Sequence, residues 1–112
     1  MADTNGTYCI VSITVGSSDE ASALAHTLVR ERLAACCNLL PGVRSIYRWQ
    51  DKIQEDGEVL LLCKTRASLF DHLVARVNEL HSYDVPEIIR SDITGASAPY
   101  LHWMNESLSD GH

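Results

Sequence analysis

A four-stranded antiparallel sheet with two helices packed on one face is the fold this sequence predicts, and three observations carry it. Apolar residues follow strand-like and helix-like spacing in the order βαββαβ, with a short helical segment after the last strand. The 112 residues suit one domain, 1–112, built around one core. With 46% apolar and 21% charged residues, the chain has the material for that core and lacks the composition of a disordered segment.

Residues 7–15 are rich in β-branched and aromatic types and stop at Gly16-Ser17-Ser18, which makes them the first strand. Ser17 followed by Glu20 is a capping-box pattern, and Ala21, Leu24, Ala25 and Leu28 then recur at helical spacing. The first helix is therefore expected from about Asp19 to Arg32, with Glu20, His26, Arg30 and Glu31 on a solvated outer face. Residues 34–49 and 53–65 read as a long hairpin separated by Asp51-Lys52, in which Pro41 and Gly42 mark an edge strand or a bulge. Val59 to Cys63 is a continuous apolar run, expected to be covered on both faces.

The second helix rests on Leu69 or Phe70, Leu73, Val74, Val77 and Leu80, with Ser68 as its cap together with Asp71, and it ends near His81-Ser82. Pro86 biases Val85 toward extended geometry, so Glu87 to Ile93 is a short last strand. Ala98 to Met104 reads as a third helix with Pro99 in its first turn, and the polar tail from Ser107 to His112 is expected to fray. This is an α+β, ferredoxin-like arrangement with an added C-terminal helix.

The hairpin does not suit a monomer. Residues 34–49 would span about 50 Å at ~3.3 Å per residue, against about 30 Å for the first strand. The excess must overhang the sheet, and it carries Ile46, Tyr47 and Trp49. Apolar side chains and unpaired strand edges of this kind are normally covered by another chain.

A formal charge of -6, with nine basic residues scattered along the chain, argues against a nucleic-acid partner. The polar start, Met1 to Gly6, lacks the pattern of a secretory leader, and no run approaches the ~20 apolar residues of a membrane span. A cytoplasmic protein without a membrane partner is expected. No nucleophile elbow, phosphate-binding glycine loop or zinc-protease motif is present, and Glu55-Asp56 near the hairpin tip reads as solvated charge, so no enzymatic activity is expected. Cys9, Cys36, Cys37 and Cys63 sit in apolar surroundings without zinc-type spacing and read as reduced core residues. Adjacent Cys36 and Cys37 point to opposite faces of a strand, so at most one of them faces a site.

The stretches Leu33-Ala34-Ala35-Cys36, Pro41-Gly42-Val43 and Ser45-Ile46-Tyr47-Arg48-Trp49 resemble the signature of the CutA family of divalent cation tolerance proteins. The likeness continues through Lys52 to Asp56, Glu58-Val59, Lys64-Thr65, Leu80-His81, Tyr83, Val85-Pro86-Glu87-Ile88, Tyr100-Leu101 and Trp103. It implies a ferredoxin-like protomer, an intertwined homotrimer with hairpin tips, residues 44–55, buried by neighbours, and a role in tolerance to divalent ions, copper above all. The architecture is also similar to that of PII signal proteins, which implies the alternative of a scaffold binding a small effector or a protein partner in clefts between subunits.

Copper sites in the family use a cysteine at the end of the first strand and two consecutive histidines after the second helix. Here those positions hold Val15, Leu80 and His81, so the resemblance leaves His81, with Cys36 as a possible helper, as ligands of a weakly bound copper or other divalent cation. His26, His72, His102 and His112 have no paired spacing and read as surface residues. For an inter-subunit pocket the candidates are Lys64, His81, Tyr83, Glu87, Trp49 and Trp103, against the alternatives of interface packing for the tryptophans and a structural ion pair for Lys64 and Glu87.

Overall fold

The computed structural model describes residues 2–3 and 7–109. Its elements are strand β1 (Ala2–Asp3), β2 (Tyr8–Val15), helix α1 (Ser18–Arg30), β3 (Cys36–Trp49), β4 (Lys52–Arg66), α2 (Phe70–Leu80), β5 (Ile88–Asp92), β6 (Gly95–Ala96) and α3 (Ala98–Ser107). The main sheet is antiparallel in the order β3-β4-β2-β5, and β1 pairs with β6 in a separate two-stranded ladder that the sequence does not announce.

Alternation builds the core. Cys9, Val11, Ile13 and Val15 of β2 point to the same face as Val59, Leu61 and Cys63 of β4. There they meet Ala21, Leu24, Ala25 and Leu28 of α1 and Leu73 and Val77 of α2, so both helices lie on that one face. The run from Val59 to Cys63 departs from expectation within this chain: α1 and α2 cover one face, and Leu60 and Leu62 on the other are half-buried.

Helix α1 begins as its sequence demands, with the Glu20 N–H donating to Ser17 Oγ at 3.1 Å. It ends in a Schellman arrangement, in which the Leu33 N–H donates to the Leu28 carbonyl and the Arg32 N–H to that of Val29, with Arg32 at φ 60° where glycine is usual. Leu33 and Leu28 then share the core. Helix α2 corrects the sequence reading, because neither Ser68 nor any other side chain caps it. The chain enters through a 3-10 turn, Ala67–Leu69, and the Ala67 N–H donates to the Thr7 carbonyl at 2.8 Å.

The end of the chain is also a correction. Ser107 closes α3, and Leu101, Met104 and Leu108 bury against Ala35 and Leu69. Arg66 Nη1 donates to the Ser109 carbonyl at 2.6 Å and the Ser109 N–H donates to that of Arg32 at 2.9 Å, so the chain is held through residue 109 instead of fraying from 107. His112 lies outside the described residues, as does most of the stretch from Met1 to Gly6.

The hairpin is as long as the sequence implies and its bulge falls where Pro41 and Gly42 place it. Leu40 pairs with Leu60 but Val43 pairs with Glu58, so Pro41 and Gly42 together face Val59, and Gly42 takes φ 80°. Val59 is also the partner of Val15, the last residue of β2. The bulge thus bends the hairpin at the point where β2 ceases to support it. Beyond it only β3 and β4 pair with each other, and the chain turns through Gln50 and Asp51, both at positive φ, one residue earlier than Asp51-Lys52 suggests. The described chain measures 44 × 25 × 22 Å, the long dimension reflecting this overhang.

Candidate functional site

Where the overhang leaves the sheet, it faces the segment between α2 and β5 across a cleft of about 660 Å³. One wall is Ser45, Ile46, Tyr47 and Trp49 with Asp56 and Glu58, and the other is Tyr83, Asp84, Val85 and Glu87. Strand pairing fixes the first wall, since Tyr47 and Trp49 lie on alternate positions of β3 and so share a face. Four carboxylates and no basic side chain line it.

The second wall is anchored by His81. Its side chain is fully buried, Nε2 lies 2.8 Å from the Thr14 carbonyl, and the Tyr83 N–H donates to Nδ1 at 3.0 Å. The N–H donating to Nδ1 places the imidazole proton on Nε2, which donates to Thr14. The Tyr83 ring stands 4.7 Å from the imidazole, and its hydroxyl donates to Glu58 Oε2 at 3.0 Å, tying the α2–β5 segment to β4. Burial and then the Glu58 hydrogen bond push the Tyr83 phenol up to about 12. Gly16 leaves room for this approach, since a Cβ there would lie a tight 3.1 Å from the Tyr83 hydroxyl.

Two residues read as solvated charge also make specific bonds in this framework, Glu20 half-buried and Asp56 still exposed. Glu20 accepts from the Ser82 N–H at 3.0 Å and the Ser82 hydroxyl at 2.9 Å, and its carboxylate stands 3.7 Å from His81 Nδ1. Asp56 accepts from the Tyr47 hydroxyl, which raises the Tyr47 phenol above its ordinary range. Glu55 remains at the surface, paired with Arg44. The sequence signal for Asp56 and Glu58 is their spacing of two in a strand, which sets both on one face.

Of the six pocket candidates, Trp49, Tyr83 and Glu87 line the cleft and His81 lies buried behind it. Lys64 and Trp103 do not join them. Lys64 Nζ stands 5.5 Å over the Tyr100 ring, and Tyr100 stacks at 5.4 Å with Trp103 on α3, so Lys64 and Glu87 form no ion pair.

The expected pair of metal ligands is not brought together either. Cys36 faces Lys64, and Lys64 faces Ile10, whereas His81 binds the carbonyl of Thr14, four residues, or about 13 Å at ~3.3 Å each, further along β2. The lone pair of Nδ1 is already engaged and Nε2 carries the proton, so the imidazole has no free donor for copper. Val15 is fully buried in the core and Leu80 is apolar. Among the described residues no group of three His, Cys, Asp or Glu side chains is arranged to hold a metal ion. The residues present therefore do not fit a copper clamp at His81.

Residues 9–107 match the family model described as CutA1 divalent ion tolerance protein. The divalent-cation tolerance protein CutA of Thermus thermophilus is 49% identical over 88% of this chain and 95% of its own length. The chloroplastic protein CutA of Arabidopsis thaliana is 47% identical over 88% of this chain, which spans only 54% of that protein. Among solved structures, CutA1 from Oryza sativa superposes with a TM-score of 0.92 at 41% identity, over 95% of this chain and 99% of that one. No helix among the described residues is long and apolar enough to cross a membrane.

Proposed function

This chain belongs to the CutA1 divalent ion tolerance protein family, and from that premise we propose that it acts in tolerance to divalent cations, copper among them, as a homotrimer. The observation that carries the assembly is the overhang. Ile46, Trp49 and Ile53 are 66%, 54% and 64% exposed on a pair of strands that leave these side chains uncovered among the described residues. Such a surface is stable in water when a neighbouring copy buries it. The sheet face opposite the helices, with Leu60, Leu62 and Ile89, is a second surface for that neighbour.

In this reading the cleft at the base of the overhang becomes a seam between subunits, where clefts often hold ligands. Its carboxylates, Asp56, Glu58, Asp84 and Glu87, draw cations to the seam, while His81 holds the wall in place and is not a ligand. Light scattering at micromolar concentration is expected to give the mass of three chains, and a monomer overturns the assembly. Expression in a host lacking its own member of the family is expected to raise the copper concentration at which growth stops. An unchanged limit overturns the tolerance role.

A further inference from the structure

Independently of the cation reading, the thiols of Cys37 and Cys63 form a pair whose chemistry the family role does not use. The register of β3 and β4 sets the two residues directly opposite each other, with their sulfurs 3.5 Å apart. Opposed residues of an antiparallel pair have Cα atoms about 4.5–5.5 Å apart, inside the ~4.4–6.8 Å range of disulfides, so rotation of the side chains can close the bond without moving a strand. Cys36 points to the opposite face, and Cys9 is buried in the core on β2.

The two sulfurs are not equivalent. Cys63 is fully buried, while Cys37 is partly exposed and lines a groove of about 410 Å³ between α1 and β3, beside His26 and Arg30. The hydrogen bond with Cys63 lowers the Cys37 thiol below its ordinary range, and the same hydrogen bond and burial raise Cys63. Cys9 is pushed up to about 11, chiefly by burial, and is no competitor. A partly exposed thiol in a groove, backed by a buried thiol at contact distance, is the arrangement of an attacking and a resolving cysteine.

We propose that Cys37 and Cys63 are an oxidisable cross-strand dithiol that forms a reversible intrachain disulfide by exchange with a low-molecular-weight disulfide entering the groove. The Cys37 thiolate attacks one sulfur of the small disulfide, whose S–S bond breaks, and the departing thiolate takes a proton from solvent. Cys63, shut off from solvent, attacks the Cys37 sulfur of the mixed disulfide as its proton is passed to the departing small thiolate. The second small thiol leaves. The two cysteines are oxidised by two electrons and the small disulfide is reduced to two thiols. The bond ties the edge strand to the central strand at the base of the hairpin, on the sheet side of the bulge.

The test exposes the full chain to oxidised glutathione, alkylates the remaining thiols under denaturing conditions and maps the peptides. The expected result is a Cys37–Cys63 crosslink, with Cys9 and Cys36 alkylated and the crosslink reversed by dithiothreitol. Cys63→Ser is expected to stall with glutathione on Cys37, and Cys37→Ser to give neither product. Alkylation of all four cysteines in the natural chain overturns the proposal, as does a crosslink through Cys36 instead. Should either variant fail to fold, the map of the natural chain decides alone.

Discussion

The same two strands, β3 and β4, behave as different materials on either side of the bulge. On the sheet side, Val59, Leu61 and Cys63 are at most 5% exposed and are held by β2, α1 and α2. On the far side, Ile46, Trp49 and Ile53 stand more than half exposed although the backbone pairing continues to the turn. Ladder hydrogen bonds alone therefore do not distinguish the two halves; burial does. An isolated two-stranded ribbon is marginal in water, so the far half depends on what is placed against it.

The largest test of that contrast is Leu61→Ala. Leu61 is fully buried at the centre of the core opposite Ile13, and its truncation is expected to cost about 3 kcal/mol of unfolding free energy, read as a lowered urea midpoint. The loss should appear at every protein concentration. Trp49→Ala comes next, expected to weaken assembly by roughly 2 kcal/mol, because a large aromatic at a seam acts as an anchor. Its effect on the midpoint should grow with protein concentration, since association stabilises the folded chain by mass action. Equal, concentration-independent losses at both positions would erase the distinction between the halves.

Much of the near half is legible in the sequence because its signals are local. The spacing of Ala21, Leu24, Ala25 and Leu28 gives α1, and Pro41-Gly42 gives the bulge, since each depends only on neighbours in the chain. The readings that fail are those decided by distant partners. Ser68 is unused as a cap because the chain enters α2 through a 3-10 turn, and Thr7 satisfies the Ala67 N–H. Glu20 is drawn from the surface by Ser82, which the fold returns to the start of α1. The order of residues can show that His81 is present but not that both of its nitrogens are spoken for. The docked tail was within reach of pattern reading: Leu101, Met104 and Leu108 keep helical spacing past the point where the segment looks merely polar.

Between the two halves sits the link from Tyr83 to Glu58, and Gly16→Ala probes it with a smaller effect. The added methyl would crowd the Tyr83 hydroxyl and loosen its hydrogen bond, an expected loss of about 1 kcal/mol. In a Tyr83→Phe background the hydroxyl is gone, so the same substitution should cost less. A double-mutant cycle with no coupling would show that Gly16 serves another purpose.

The smallest expected effect is the alkaline titration of that link. Burial and Glu58 raise the folded Tyr83 phenol from 10.0 to about 12, while in the unfolded chain it keeps the ordinary value. Below pH 10 both states hold the proton and the full contribution of Tyr83 is present. Between 10 and 12 the unfolded chain releases its proton first, so it binds fewer protons than the folded chain, and stability falls as pH rises through that window. Tyr83 is 38% exposed, so solvent screens the effect and keeps it modest. Tyr47 on the overhang is also raised, chiefly by its hydrogen bond to Asp56, whereas burial and Glu58 lead for Tyr83, so the two phenols answer to different leading partners although Asp56 and Glu58 act on both. Phenolate absorbance across this range should lose its highest-pH component in Tyr83→Phe, and Asp56→Asn should bring the Tyr47 component down further than that of Tyr83, to whose shift Asp56 adds only after burial and Glu58. If Tyr83→Phe leaves the alkaline loss of stability unchanged, the base of the hairpin is not held by this hydroxyl, and the two halves are joined by the strand pairing alone.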